Sequence, residues 1–210
     1  VIPRLVVASK NLDKVTEIRQ ILTEAGIPSE VAMDLDWPEV EETGSTLEEN
    51  ALLKARAVAA ATGLPSLADD TGLEVDALGG APGVETARYA GPGASYAANV
   101  ERLLADLKKA DRREARFRTV VALAGPAGWV VTAEGVLEGR IARVPRGSGG
   151  FGYDPIFEVD HRTLAELPAE EKNRLSHRAR ALRALAPKLK ENQEAADEDQ
   201  SRAVHQQLGG

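Results

Sequence analysis

Cysteine is absent from the 210 residues, which removes disulfides, thiolate nucleophiles and cysteine-ligated zinc. Histidine occurs only at positions 161, 177 and 205. That spacing argues against an imidazole-rich metal site and leaves carboxylates as the candidate ligands of a hard cation. Aromatic residues are 4% of the chain, so the core must be built from Ala, Val, Leu and Ile. No apolar run approaches the ~20 residues that span a bilayer. The chain opens on a strand-like segment rather than on a basic stretch before an apolar run, so a cytoplasmic protein without a membrane partner is expected. Basic residues are outnumbered, 26 against 33, for a net charge of −7. The segment Glu191–Gly210 supplies five acids and one Arg of that balance. Neither the body nor this tail has the basic character of a nucleic-acid binder.

The length suits one well-buried domain, expected over 1–190, followed by an acidic tail over 191–210 that is too polar to fold. Leu5-Val6-Val7-Ala8 reads as a buried strand. Val15, Ile18, Ile21, Leu22 and Ala25 recur at helical spacing until Gly26 and Pro28 stop them. Thr46 followed three residues later by Glu49 is a capping box, opening a helix that runs to Gly63. A strand is expected over Pro65–Ala68 and a long loop over Gly79–Gly93. A helix follows, with Tyr96, Val100, Leu103, Leu104 and Leu107 on its inner face. Phe117–Leu123 and Trp129–Val136, joined by Gly125-Pro126-Ala127-Gly128, predict a hairpin. Gly147–Gly152 is a glycine loop. A final helix begins near Ser176, buries Leu182 and Leu185, and is ended or kinked by Pro187. Strands alternating with helices indicate an α/β protein.

Several segments can carry chemistry, and each also has a plain structural reading. Ser9-Lys10-Asn11-Leu12-Asp13-Lys14 joins strand to helix. Such a junction directs free N–H groups and a partial positive charge at an anion, or it is a capped helix with solvated lysines. Lys54 shares a helix face with Leu47, Ala51, Ala55 and Val58, so it either snorkels outward or meets an anion. Asp69-Asp70-Thr71-Gly72 suits metal binding or general-base work, or a simple turn. In an extended strand its two carboxylates would face opposite ways. Glu41-Glu42-Thr43-Gly44 is a second acidic segment. In Gly149–Pro155, Phe151 or Tyr153 could stack on a base and Asp154 could orient a partner, or the segment is an aromatic-anchored turn. Ser176 can cap the last helix. His177 and Arg178 would then sit in its first turn, where the helix dipole disfavours cations and a ligand could explain their presence.

Taken together these segments resemble the inosine triphosphate pyrophosphatase family, also called Ham1-like, whose members remove non-standard purine nucleotides. The matching blocks run in order: Ser9–Lys14 (SKNLDK), Glu41–Ala55 (EETGSTLEENALLKA), Leu67–Gly83 (LADDTGLEVDALGGAPG), Ala87–Gly91 (ARYAG), Gly149–Phe157 (GGFGYDPIF), Glu170–Lys172 (EEK) and Ser176–Leu182 (SHRARAL). The resemblance covers about residues 3–190. Ser9 stands where many relatives have Thr, and Thr71 where many have Ser, so both positions keep a hydroxyl.

The resemblance implies an elongated, two-lobed α/β domain with a long mixed sheet flanked by helices, the active site in the cleft, and a homodimer. It implies hydrolysis of inosine, deoxyinosine or xanthosine triphosphate to the monophosphate and pyrophosphate. Mg²⁺ would be held by Glu42 and Asp70, with Asp69 as a further ligand, and Asp70 would act as general base. Ser9, Lys10, Asn11, Lys14 and Lys54 would hold phosphate. Phe151 would stack on the base, Asp154 would fix it, and Lys172, His177 and Arg178 would donate to its 6-oxo group. Thr71, Gly152 and Tyr153 complete the implied substrate-binding set. Two rivals remain: a Maf-like pyrophosphatase with another base preference, and a nucleotide-binding module without turnover.

Overall fold

The computed structural model describes residues 2–24, 29–33 and 35–189. Ala25, the expected helix stop at Gly26 and Pro28, and the acidic tail lie outside them. The strands are β1 (Arg4–Val7), β2 (Glu30–Ala32), β3 (Ser66–Val75), β4 (Pro82–Gly83), β5 (Glu114–Ala124), β6 (Val130–Ile141), β7 (Phe157–Val159) and β8 (Arg162–Thr163). The helices are α1 (Leu12–Glu24), α2 (Leu47–Thr62), α3 (Tyr96–Asp106), α4 (Ala169–Leu175) and α5 (177–189). One eight-stranded sheet runs β2-β1-β3-β5-β6-β7-β8, with β4 paired to β3. Pairings of β1 with β2 and β3 are parallel and the others antiparallel, so the sheet is mixed, as expected.

Strand alternation sorts the core. Even-numbered Val6, Ala68, Val120 and Ala122 pack against Ala51, Ala55 and Val58 of α2. Odd-numbered Leu5, Val7, Leu67, Val121, Leu123 and Ala133 pack against Ile18 and Ile21 of α1 and Leu182 and Leu185 of α5. Farther along the same odd face, Leu73, Val75, Phe117, Leu137 and Ile141 form another cluster with Leu103 of α3 and with Ile156 and Phe157. These two clusters are the two lobes. Between them the odd face carries Asp69, Thr71, Thr119 and Gly135 instead of large apolar groups. Thr71 is in register with Thr119, and Thr119 with Gly135. Polar residues interrupting an apolar face open the cleft there.

Local expectations fare unevenly. The Thr46 capping box is formed on both sides, and Gly63 ends α2 at φ 67°, a left-handed backbone that glycine adopts without a Cβ penalty. Ser176 caps α5, its Oγ accepting from the Ala179 N–H at 3.1 Å. The hairpin is longer than predicted on both strands. The expected loop over Gly79–Gly93 contains β4 and a 3₁₀ turn, Thr86–Arg88.

Three expectations are corrected. The acidic pair lies inside β3, not in a turn, because β5 supplies a full ladder opposite Asp69 and Asp70. Tyr96 is 44% exposed rather than on the inner face of its helix, because it leans across the cleft to hydrogen-bond Asn11. Of the two readings of Pro187, the helix end is the one overturned, because α5 continues to residue 189. A proline removes one backbone N–H, while Leu185 and Leu189 hold these last turns on the sheet.

Candidate active site

The cleft is lined by Asn11, Lys14, Glu42, Asp70, Phe151 and Arg178, among others. A second hollow opens beside it on Ser9, Lys10, Trp37 and Lys54, and shares Asn11, Lys14 and Glu42 with the first. The site is thus one trough, with cations and a helix start at one end and an aromatic ring at the other.

At the cationic end, Asn11 caps α1, its Oδ1 accepting from the N–H groups of Asp13 at 3.0 Å and Lys14 at 3.3 Å. Ser9 Oγ accepts from the Asn11 N–H at 3.2 Å. Lys14 reaches back from the first turn of α1 to Asp69 Oδ1 at 3.4 Å. Lys10 stays at the mouth, its side chain 63% exposed and loosely paired with Asp36.

Asp69 and Asp70 point to opposite faces of the sheet, as strand geometry requires. On the even face, Lys54 Nζ donates to Glu42 Oε1 at 2.7 Å, to the Asp69 carbonyl at 2.7 Å and to Asp70 Oδ1 at 3.3 Å. Asn50 Nδ2 donates to Asp70 Oδ2 at 3.2 Å. Of the two readings of Lys54, the anionic partner holds, and that partner is the carboxylates of Glu42 and Asp70. Burial pushes the Asp70 carboxyl up, the neighbouring Glu42 adds to this, and Lys54 opposes both. Burial works against the Lys54 ammonium, but Asp70, Asp69 and Glu42 outweigh it and raise its pKa.

On the odd face lies a row of alternating buried charges. Asp154 Oδ2 accepts from Lys172 Nζ at 2.7 Å, and Lys172 also contacts Glu17 Oε2 at 3.3 Å. Glu17 Oε1 accepts from Arg178 Nη1 at 3.0 Å. Arg178 donates from Nε at 3.1 Å and from Nη2 at 3.0 Å to Asp69 Oδ2. Lys14 then closes the row. Three acids meet three bases, so none is left uncompensated at low dielectric. Burial disfavours ionisation of Asp69, but Lys14, Arg178 and Lys54 hold it well below the usual carboxylate range. Glu17 is likewise lowered: burial opposes its charge, and Arg178 and Lys172 prevail. These acids also answer why Arg178 tolerates the first turn of α5. His177 is neutral, because burial and then the neighbouring Arg178 and Lys172 depress its pKa far below the ordinary value.

At the aromatic end, Phe151 is half-buried. Lys172 Nζ lies 4.7 Å and Arg178 Cζ 5.7 Å from its ring centroid, and the Tyr96 centroid lies 5.9 Å away. Asp154 Oδ2 accepts from the Phe151 N–H at 2.8 Å and so fixes the loop. Gly150 has φ 70°, and a Cβ there would sit 2.0 Å from that carboxylate oxygen. Gly152 is left-handed too, with φ 63°. The Tyr153 ring is buried, and its hydroxyl donates to the Thr86 carbonyl at 2.9 Å.

Every residue singled out in the sequence therefore borders the trough or supports one that does, with Lys10 the most peripheral. The sequence reading missed Glu17, Asn50 and Thr119. Glu17 had a signal: an acid between Val15 and Ile18 on the apolar arc of α1 breaks the pattern just as Lys54 does on α2. Asn50 also lies on the buried face of its helix. Among the described residues, no three His, Asp or Glu side chains cluster as a ready metal site.

The Ham1 family model matches residues 5–188. The chain is 56% identical to a dITP/XTP pyrophosphatase of Symbiobacterium thermophilum over 182 residues, 85% of this chain and 91% of that protein. It is 50% identical to a dITP/XTP pyrophosphatase of Streptomyces coelicolor over 195 residues, 90% and 98% of the two chains. Among solved structures, a HAM1 protein from Coxiella burnetii superposes with a TM-score of 0.79 at 45% identity, covering 90% of this chain and 99% of the other. The Staphylococcus aureus Ham1 protein does so at 0.76 and 41% identity, with the same coverage. With the matched segment running from the first strand to the last helix, and so containing the whole trough, the chain belongs to the Ham1 family.

Proposed function

We propose that this protein hydrolyses non-standard purine nucleoside triphosphates, of inosine, deoxyinosine or xanthosine, to the monophosphate and pyrophosphate. The observation that carries the reading is the polarity of the trough. Lys14, Asn11 and the start of α1 lie at one end, a half-buried ring flanked by two cations at the other, and paired carboxylates between them. Relatives bearing the dITP/XTP pyrophosphatase name support the substrate class.

Ser9, Asn11, Lys14 and Lys54 would receive the phosphates through N–H groups and ammonium charge. Phe151 would stack on the base, with Lys172 and Arg178 offering N–H donors to its 6-oxo group. An amino group at that position leaves such donors unpaired, and this kind of mismatch discriminates strongly. Asp70 would take a proton from the water that attacks the α-phosphorus as the bond to the β-phosphate breaks. A carboxylate pushed up by burial is a stronger base than an ordinary one.

Mg²⁺ fits the residues. Glu42 and Asp70 both lie within hydrogen-bond distance of one ammonium, so two hard oxygen ligands already converge on a cation's position. When bound, the ion would neutralise phosphate charge. Asp69, engaged by Arg178 and Lys14 on the other face, is left out of this set. The homodimer rests on the family resemblance, and sedimentation would test it. A cytoplasmic location is likewise proposed. No helix of the described residues is long and apolar enough to cross a membrane.

The test is pyrophosphate release with Mg²⁺ from inosine and xanthosine triphosphates against adenosine, guanosine, uridine and thymidine triphosphates. Preference for the first two is expected. Release of orthophosphate alone, or preference for a pyrimidine, would overturn the reading.

A further inference from the structure

Among the described residues, the Thr119 hydroxyl has two hydrogen-bond neighbours: Thr71 Oγ1 at 2.7 Å and His177 Nδ1 at 2.6 Å. The row continues, since Thr71 Oγ1 lies 3.2 Å from Asp69 Oδ2. The order of protons along it can be worked out from its anchored end. Asp69 is held as an anion by Arg178 and Lys14, so it can only accept. The contact between Thr71 and Asp69 is attractive only if the Thr71 hydrogen points at Asp69; otherwise two oxygen lone pairs face each other in a buried site. Arg178 Nη2, 3.4 Å from Thr71 Oγ1, also presents a donor to that oxygen and favours the same arrangement. With its single hydrogen committed, Thr71 must accept from Thr119. Thr119, its hydrogen committed in turn, must accept from His177 Nδ1. The neutral imidazole therefore carries its proton on Nδ1 and leaves Nε2 bare.

The ring is also fixed in place. Phe117 stacks on it with centroids 4.6 Å apart. Gly135, in register with Thr119, lets the start of α5 lie directly on the sheet, for a Cβ there would come 2.2 Å from the His177 carbonyl oxygen. His177 lines the trough, and no group among the described residues pairs with its Nε2.

We propose that the relay Asp69–Thr71–Thr119 sets His177 as a hydrogen-bond acceptor that receives the N1–H of a 6-oxopurine, with Thr119 as the positioning residue. The proposal deepens and rests on the reading of the trough as a 6-oxopurine nucleotide site, and it reverses one expectation: His177 does not donate to the 6-oxo group. A 6-oxopurine presents an oxygen acceptor beside an N1–H donor. Lys172 and Arg178 face the first and His177 the second. Adenine inverts both, with an amino donor at position 6 and a bare N1 that would oppose Nε2.

The first test needs no turnover. In protein labelled with ¹⁵N-histidine, the His177 ring nitrogens are identified by their loss in His177→Gln. Long-range ¹H–¹⁵N correlations are expected to show Nδ1 protonated and Nε2 bare. Titration with inosine monophosphate should shift the Nε2 resonance, and adenosine monophosphate should leave it in place. A proton on Nε2, or equal shifts with both nucleotides, overturns the proposal.

The second test compares kcat/KM for inosine and adenosine triphosphates. Thr119→Val keeps the shape and removes the relay. It should narrow the preference about tenfold, the scale of one lost hydrogen bond between neutral groups, mainly through KM. Thr119→Ser should restore it. An unchanged preference in folded Thr119→Val overturns the proposal. Should that variant fail to fold, the wild-type tautomer still decides. If the wild type cleaves neither triphosphate, the pyrophosphatase reading fails, while the monophosphate titration continues to judge His177.

Discussion

Glu17 gives the sharpest test of how the site is held together. It contributes no catalytic group, yet its carboxylate joins Arg178 at 3.0 Å to Lys172 at 3.3 Å. Glu17→Gln keeps the shape and removes one charge, so the six-membered row goes from neutral to an excess of one positive charge. Removing one partner of a buried pair costs about 3–5 kcal/mol. Here each cation retains a second acid, Asp154 for Lys172 and Asp69 for Arg178, so about 3 kcal/mol, the low end, is expected. For a chain of this length that lowers Tm by roughly 6–12 °C.

The pH dependence has a definite sign. The Glu17 pKa is lowered on folding, so its stabilising effect is present above the unfolded value, about 4.3, and is lost as pH falls through the folded value. The Tm gap between wild type and Glu17→Gln should therefore be full at neutral pH and shrink below about pH 4. The assay is thermal unfolding of both proteins, followed by circular dichroism from pH 7 downward. A gap under about 2 °C at pH 7, against the change expected for a lost kcal/mol, would refute the charge-balance argument. So would a gap that stays constant as both proteins are acidified.

Asp70→Asn should reduce pyrophosphate release by about 10²-fold or more, the scale of losing a general base, and wild-type turnover in a folded variant would remove Asp70 from the mechanism. Lys54→Ala leaves Glu42 and Asp70 facing each other without their shared cation, so its Tm should fall in metal-free buffer and recover with added Mg²⁺ more than that of the wild type. An equal Mg²⁺ response in both proteins would count against a cation site between the two carboxylates. Gly135→Ala forces a methyl against the His177 carbonyl and should cost about 1–3 kcal/mol, as overpacking does, with loss of activity exceeding the loss of folded protein. A fully active, equally stable variant would show that α5 need not lie so close to the sheet.

Much of the fold was legible because its signals are local. The capping box at Thr46, the left-handed Gly63 and the serine cap of α5 each act within a few residues of their own position. Apolar periodicity along β1, α1 and β5 needs only the two repeat lengths of strand and helix. The blocks around Asp69, Phe151 and His177 likewise marked, in one dimension, residues that all border the trough. Tertiary structure decided what no local pattern carries. The run from Asp69 to Gly72 suits a turn or a strand, and pairing with β5 chose the strand. The strand's alternation then sent Asp69 to Arg178 and Asp70 to Lys54. Glu17 and Arg178 are 161 residues apart, and whether an acid inside an apolar arc is tolerated depends on a cation from the far end of the chain. The tautomer of His177 depends on three strands in register beneath one helix end. Long-range charge pairing and proton order arise from the arrangement of elements, because a buried polar group is satisfied by whatever the folded chain brings within about 3 Å of it.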